Sequence, residues 1–155
     1  LVFGIADYSR SIGSPLVSLS GHGENEDLVY SGHRWHYVLS RLVAAAKSVG
    51  LQAIDAPYGN FRDITGLQQS ATQARALGCD GKWAVHPEQL EVIQQVFLPT
   101  TAEIELAQRI LEAAKAAEKQ GLGAVAVDGQ MIDQATVQLA RRVLGTELSI
   151  TRQVD

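Results

Sequence analysis

Cysteine is almost missing: Cys79 is the single one in 155 residues, so no disulfide can form within the chain. Its expected role is that of a small buried hydrophobe, not a catalytic thiol. Basic residues are few and scattered, the net charge is −4, and no cluster of Lys and Arg forms the footprint that nucleic acid requires. No apolar run approaches the ~20 residues of a membrane span, and no signal-peptide pattern is read. A reducing cytoplasm is the expected setting, with neither nucleic acid nor membrane as partner. Phosphate-binding glycine patterns are also absent. Gly21 and Gly23 do not link a strand to a helix as a dinucleotide fingerprint would, and there is no P-loop.

What remains is a chain with 46% hydrophobic and 19% charged residues, the balance of a globular domain. It opens at Leu1 inside an apolar stretch without Met, which leads us to expect further chain before it. Leu1 to Asp7 is an apolar run ending in an acid and reads as a buried strand. Residues 8–32 follow as a long loop, a length that in compact domains usually carries function. From His33 to Val49, Trp35, Val38, Leu39, Leu42, Val43 and Ala46 recur at helical spacing, and Gly50 suits the C-terminal cap.

The plan then repeats. Leu51 to Asp55 is a second strand ending in an acid, followed by a turn at Ala56-Pro57-Tyr58-Gly59-Asn60. Asp63 caps a helix that runs to Gly78. Gly81 to Val85 is a third strand, stopped by His86-Pro87, and Pro87 opens the next helix. Alternation of this kind predicts parallel βαβ units, and strands apolar on both faces need helices on either side or a closed barrel. After Pro99 the rhythm changes. Thr100 and Glu103 form a capping box for a helix reaching about Lys119. Gly121-Leu122-Gly123 breaks it, Val125 to Val127 is extended, Asp128-Gly129 turns, and Asp133 to Leu144 is a last helix before a weakly ordered tail. Residues 1–98 are thus read as barrel units and 99–155 as a helical extension.

Acids at strand ends are the first candidates for chemistry, because that is where barrel active sites lie. Asp7 suits a Mg²⁺ ligand, since that ion takes one or two carboxylates plus substrate oxygens. It also suits a loop-opening Asp that bonds its own backbone, and spacing alone leaves both open. Asp55, before Ala-Pro, fits better as the organiser of the turn. The four histidines, His22, His33, His36 and His86, form no ligand set and are read as structural or surface residues. Lys82 and Trp83 either face a ligand mouth or pack. Asp133 stands where a helix-capping Asp is the ordinary reading.

Five segments in order alter these odds: Phe3-Gly4-Ile5-Ala6-Asp7; Ala53-Ile54-Asp55-Ala56-Pro57-Tyr58; Gly78 through Gln89 with its Gly-Lys-Trp-Ala-Val-His-Pro; Phe97-Leu98-Pro99-Thr100; and Asp128-Gly129-Gln130-Met131-Ile132-Asp133. Together they resemble the citrate lyase β-subunit-like branch of the HpcH/HpaI aldolase superfamily, nearest its malyl-CoA/β-methylmalyl-CoA lyases. The resemblance implies an α/β fold, the C-terminal part of a TIM (β/α)₈ barrel with an appended C-terminal helical extension. It implies a carbon–carbon lyase that is Mg²⁺-dependent, with Mn²⁺ as a substitute, and that takes a CoA thioester as substrate. The reaction would reversibly cleave a 3-hydroxyacyl-CoA to glyoxylate and acetyl-CoA or propionyl-CoA.

By the same resemblance Asp7 is the second carboxylate on the metal, the first being a Glu on an earlier strand. Ala6 and Asp7 line the oxo-acid pocket through their backbone. Ala84 and Val85 flank the thioester arm. Asp133 is the catalytic acid/base, completing the site of a neighbouring subunit in a homo-oligomer. Two other readings stand beside this one: a pyruvate-type aldolase of the same superfamily, and a non-catalytic CoA-binding assembly subunit.

Overall fold

The computed structural model describes residues 1–15, 22–23, 33–121 and 125–151, with side chains placed up to residue 145. The chain divides into two compact units, Leu1–Phe97 and Leu98–Asp155.

In the first unit the elements are α1 (Ile5–Ser11), α2 (His36–Ser48), β1 (Ile54–Asp55), α3 (Ile64–Ala76), β2 (Gly81–Lys82) and α4 (Gln89–Phe97). β1 and β2 are parallel, with Ile54 opposite Gly81 and Asp55 opposite Lys82. On the other side of β1, Val2 forms a parallel bridge with Ile54. It is framed by Phe3 N–H donating to the Ile54 carbonyl (2.9 Å) and Ile54 N–H donating to the Leu1 carbonyl (2.8 Å). Three chain segments therefore run side by side in sequence order, each followed by a helix, as in neighbouring units of a parallel barrel.

The first strand is much shorter than the apolar run suggested. Phe3 and Ile5 are buried while Leu1, Val2, Ala6 and Asp7 are exposed, so the run does not cover two buried faces. Pairing stops after Val2 and the chain turns into α1, where Tyr8 N–H already bonds the Gly4 carbonyl at 2.9 Å. Asp7 lies in the first turn of this helix and not at the mouth of a long loop. Of residues 8–32, the part from 8 to 11 is helical, and 16–21 and 24–32 lie outside the described residues. The third strand also ends early, at Lys82, which places Ala84 and Val85 in the loop beyond it.

Trp35, Leu39, Ala56, Ala74 and Cys79 pack with Phe3 and Ile5 in the core of this unit. Phe3, Tyr8 and Trp35 form a triangle of edge-on and tilted rings with centroids 5.8 to 6.1 Å apart, a geometry favoured by the ring quadrupoles. A second cluster joins Tyr58, Leu67 and Ile93. Asp63 caps α3 by accepting from Gly66 N–H at 2.9 Å, and its other oxygen accepts from the Tyr58 hydroxyl at 2.6 Å. Gly50 and Gly78, both at positive φ, follow α2 and α3 as the sequence suggested.

The second unit holds α5 (Thr101–Lys119), β3 (Val125–Val127), β4 (Gln130–Ile132) and α6 (Gln134–Thr151). The Thr100–Glu103 capping box is present. β3 and β4 pair antiparallel around Asp128-Gly129, whose φ values of 50° and 77° give the two-residue turn that matches strand twist. Of the proposed Gly121-Leu122-Gly123 break, residues 122 and 123 lie outside the described residues. The last helix does not stop at Leu144. It runs to Thr151, because no Pro intervenes and Gly145 alone weakens a helix only modestly. No helix among the described residues is long and apolar enough to cross a membrane.

Candidate functional site

The C-terminal ends of β1 and β2 carry a buried polar network. Lys82 Nζ donates to Asp55 Oδ2 at 2.6 Å and to the Ala56 carbonyl at 2.8 Å, with both charged side chains enclosed. His22 Nε2 donates to the other Asp55 oxygen at 3.1 Å. The His22 backbone is tied to the loop after β1 as well: its N–H donates to the Pro57 carbonyl and its carbonyl accepts from Gly59 N–H, each at 2.8 Å. Its ring meets that of His33 edge-on, centroids 5.8 Å apart.

Burial is the strongest influence on Asp55 and pushes its carboxyl up. The His22 hydrogen bond and the Lys82 charge together outweigh it, so the group sits below its ordinary value. Cys79 goes the other way. Burial, with the Asp55 charge beside it, raises the thiol to about 11, so it is protonated and inert at neutral pH. The reading of Cys79 as a buried hydrophobe agrees with this.

Around this network the two following loops form an open rim. Trp83 and Val85 are exposed and Ala84 is half-buried. His86 stacks on Phe61 with centroids 4.5 Å apart and an interplanar angle of 20°. Gln89 is fully buried beneath the rim.

Asp7 stands at the end of the neighbouring strand segment. Its carboxylate is 88% exposed and meets Arg10 only at 3.6 Å, one turn along α1. Among the described residues, no group of three or more His, Cys, Asp or Glu stands ready to hold a metal ion. One exposed carboxylate still fits Mg²⁺, which is commonly bound by one or two carboxylates with substrate oxygens and waters completing the shell. The Ala6 and Asp7 amides belong to the first turn of α1, where N–H groups lack intrahelical acceptors.

Asp133 lies in the second unit, exposed at the start of α6. Its Oδ1 accepts from Thr136 N–H at 2.9 Å and from the Thr136 hydroxyl at 3.0 Å, so it caps the helix. Those bonds, the backbone one foremost, hold the carboxyl below its usual range. The residue borders a cavity of about 360 Å³ between α5, α6 and the hairpin, with Lys115, Glu118 and Arg141 on its walls.

Asp55, expected to organise a turn, and His22, expected to be a surface or structural histidine, join Lys82 in one network, a link that local sequence does not show. A Lys inside an apolar strand beside a strand ending in Asp was the available signal, and only the register of β1 against β2 turns it into a pair. His36 lies in α2 and is exposed, as expected of it.

The fold has counterparts among known proteins. Residues 9–145 match the model of a C–C bond lyase family of the TIM-barrel fold. The chain is 32% identical over 146 residues to the L-malyl-CoA/β-methylmalyl-CoA lyase of Rhodobacter capsulatus, covering 91% of this chain and 46% of that protein. It is 34% identical over 150 residues to the mitochondrial citramalyl-CoA lyase of Rattus norvegicus, covering 97% of this chain and 41% of that protein. The chain thus spans less than half the length of these two relatives. The structure of CitE from Mycobacterium tuberculosis in complex with magnesium, acetoacetate and coenzyme A superimposes with a TM-score of 0.72 at 28% identity, over 94% of this chain and 50% of that one. A citrate lyase structure from Burkholderia xenovorans shares the fold with a TM-score of 0.75 at 21% identity, over 97% of this chain and 46% of that one. This chain belongs to the C–C bond lyase family of the TIM-barrel fold.

Proposed function

We propose that the complete protein carrying this chain is a Mg²⁺-dependent carbon–carbon lyase that cleaves a 3-hydroxyacyl-CoA. The malyl-CoA or β-methylmalyl-CoA type is the substrate class, giving glyoxylate with acetyl-CoA or propionyl-CoA. Residues 1–98 contribute the last three βα units of the barrel and residues 99–155 its helical extension. The observation that carries this reading is the position of Asp7. Its exposed carboxylate follows a strand segment parallel to β1, on the same C-terminal side where Asp55 and Lys82 end their strands. Similarity to two CoA-thioester lyases and to a CitE solved with magnesium and coenzyme A supports it.

Asp7, with a carboxylate from an earlier strand, would hold the metal, which acts when bound as Lewis acid for the carbonyl that forms on cleavage. Mn²⁺ would substitute. The backbone of Ala6 and Asp7 borders the oxo-acid product, and the Ala84–Val85 loop flanks the thioester arm. Asp133 exchanges the proton at the acyl-CoA α-carbon, giving it to the enolate in cleavage and removing it in the Claisen-type condensation. The bonds from Thr136 that hold its carboxyl below the usual range favour the ionised form, which removes the proton in condensation. Cleavage uses the protonated form, reached by taking up a proton from solvent at this exposed position. We assign this role to the extension of a neighbouring subunit, so the active enzyme is a homo-oligomer.

The test is Asp7→Asn in the complete protein. Mg²⁺-dependent thioester cleavage should be abolished while the circular-dichroism spectrum and melting temperature stay near wild type. Turnover that persists at ordinary Mg²⁺ overturns the assignment.

A further inference from the structure

Gln89 opens α4 and is fully buried, although it is neither apolar nor one of the charged groups of the network. Its side-chain amide is divided between two loops. Oε1 accepts from Val85 N–H at 2.8 Å, and Nε2 donates to the Tyr58 carbonyl at 2.9 Å. Tyr58 follows β1 and Val85 follows β2, so one side chain ties together the rims of two neighbouring strands. The loop is held from its other end as well, by Gln89 N–H donating to the His86 carbonyl at 3.0 Å and by the His86–Phe61 stack.

This tie fixes a peptide plane. In a trans peptide the C=O and N–H point in opposite directions, and among the described residues no peptide bond is cis. With Val85 N–H drawn down to the buried Gln89, the Ala84 carbonyl of the same plane faces away from it. That carbonyl is an acceptor on a rim whose neighbours Trp83 and Val85 are exposed. The arm of a CoA thioester carries amide N–H groups, the donors that such a carbonyl pairs with.

We propose that Gln89 is a positioning residue for the thioester-binding loop: by holding Val85 N–H it aims the Ala84 carbonyl at an amide N–H of the acyl-CoA arm. The proposal rests on the reading of Ala84 and Val85 as the flank of that arm. Gln89 touches no substrate and acts through the loop.

The experiment measures coenzyme A affinity by calorimetry, KM and kcat for the thioester, Mg²⁺ affinity and melting temperature. It uses the complete protein with Gln89→Leu and Gln89→Glu. Losing the tie in Gln89→Leu should weaken coenzyme A about tenfold, the equivalent of about one hydrogen bond. KM should rise with it, while kcat and Mg²⁺ affinity change little. In Gln89→Glu the ionised carboxylate faces the Tyr58 carbonyl and is repelled. The neutral acid can accept from Val85 N–H and donate to Tyr58, remaking both bonds. The ratio of its coenzyme A affinity to that of wild type should therefore rise as the pH falls from about 8 to about 6. A merely structural glutamine would lower the melting temperature of both variants and leave coenzyme A affinity unmoved, and that result overturns the proposal. If Gln89→Leu does not fold, the Gln89→Glu series decides by itself, and a flat ratio overturns it. Wild type that binds coenzyme A but cleaves no thioester removes the lyase reading and leaves this one to the affinity series. Wild type that binds no coenzyme A removes both.

Discussion

Lys82 Nζ and Asp55 Oδ2 meet at 2.6 Å across the parallel register of β2 and β1, with both side chains shut away from water. A Lys–Asp pair here is costly to desolvate, and its attraction offsets that cost only because the remaining hydrogen-bonding positions are filled. His22 fills the second Asp55 oxygen, and the Ala56 carbonyl takes another Lys82 proton. The network therefore fixes the ends of two strands and His22 as one piece.

Removing both members should hurt less than the two single removals added together. Lys82→Met leaves Asp55 as a buried charge without its cation and should cost about 3–5 kcal/mol. Combining it with Asp55→Leu should cost clearly less than the sum of the single changes, since the uncompensated charge disappears. Urea unfolding of the complete protein and its three variants closes this cycle. Strict additivity would mean that the two groups do not depend on each other.

The same pair makes a pH prediction. Asp55 titrates below its ordinary 3.8 in the folded state. A depressed acid contributes stability that is fully present above the unfolded value, about 4, and is lost as the pH falls through the folded one. Stability should thus decline on acidification below about pH 4, with a shallower slope in Asp55→Asn. Equal slopes in wild type and variant, measured by denaturant unfolding at a series of pH values, would assign the acid sensitivity elsewhere.

Gly66 carries a sharper steric requirement. A β-carbon there would collide with the Tyr58 hydroxyl and the Asp63 carboxylate, the two groups that close the cap of α3. Tyr58 is also a core side chain, packed with Leu67 and Ile93, and cannot simply swing aside. Gly66→Ala should therefore destabilise by about 1–3 kcal/mol, even though alanine is the better helix former. A variant as stable as wild type would show that the Tyr58–Asp63 bond gives way freely.

Periodicity and capping were the legible part of the fold. The helix stripes, the Thr100–Glu103 box, the Asp63 cap and the Asp128-Gly129 turn each depend on residues a few positions apart, and local sequence carries such signals. Strand length was not legible in this way. The apolar run from Leu1 to Asp7 looks like a strand, but Val2 is left exposed and the chain turns into a helix at Ile5, which only the packing of Phe3 and Ile5 decides. The site divides similarly. Asp7 and Asp133 stood out through motif resemblance, whereas His22–Asp55–Lys82 and the Gln89–Tyr58 bond join residues 27 to 33 positions apart. No periodicity spans such distances, because they are set by the register of neighbouring strands.

Asp133 should reach its substrate from a neighbouring subunit. It lies in the second unit, exposed at the head of α6, and Asp7 lies in the first, so the two proposed catalytic groups belong to different compact units. If the extension of one subunit serves the barrel of the next, an enzyme lacking Asp7 and an enzyme lacking Asp133 can complement each other. A general acid/base contributes roughly 10²–10⁴-fold in rate, so Asp133→Asn should lower turnover by about that factor while substrate binding survives. Its helix should persist, because Asn is also a good N-cap. Asp7→Ala and Asp133→Asn, each nearly inactive by itself, are then mixed under conditions where subunits exchange. Some interfaces in the mixed oligomers will pair an intact Asp7 with an intact Asp133 from the neighbour, and part of the activity should return. Mass spectrometry of differently tagged subunits shows whether mixed oligomers have formed. If they form and no activity returns, Asp133 acts within its own chain or serves only as the cap that its bonds to Thr136 make it.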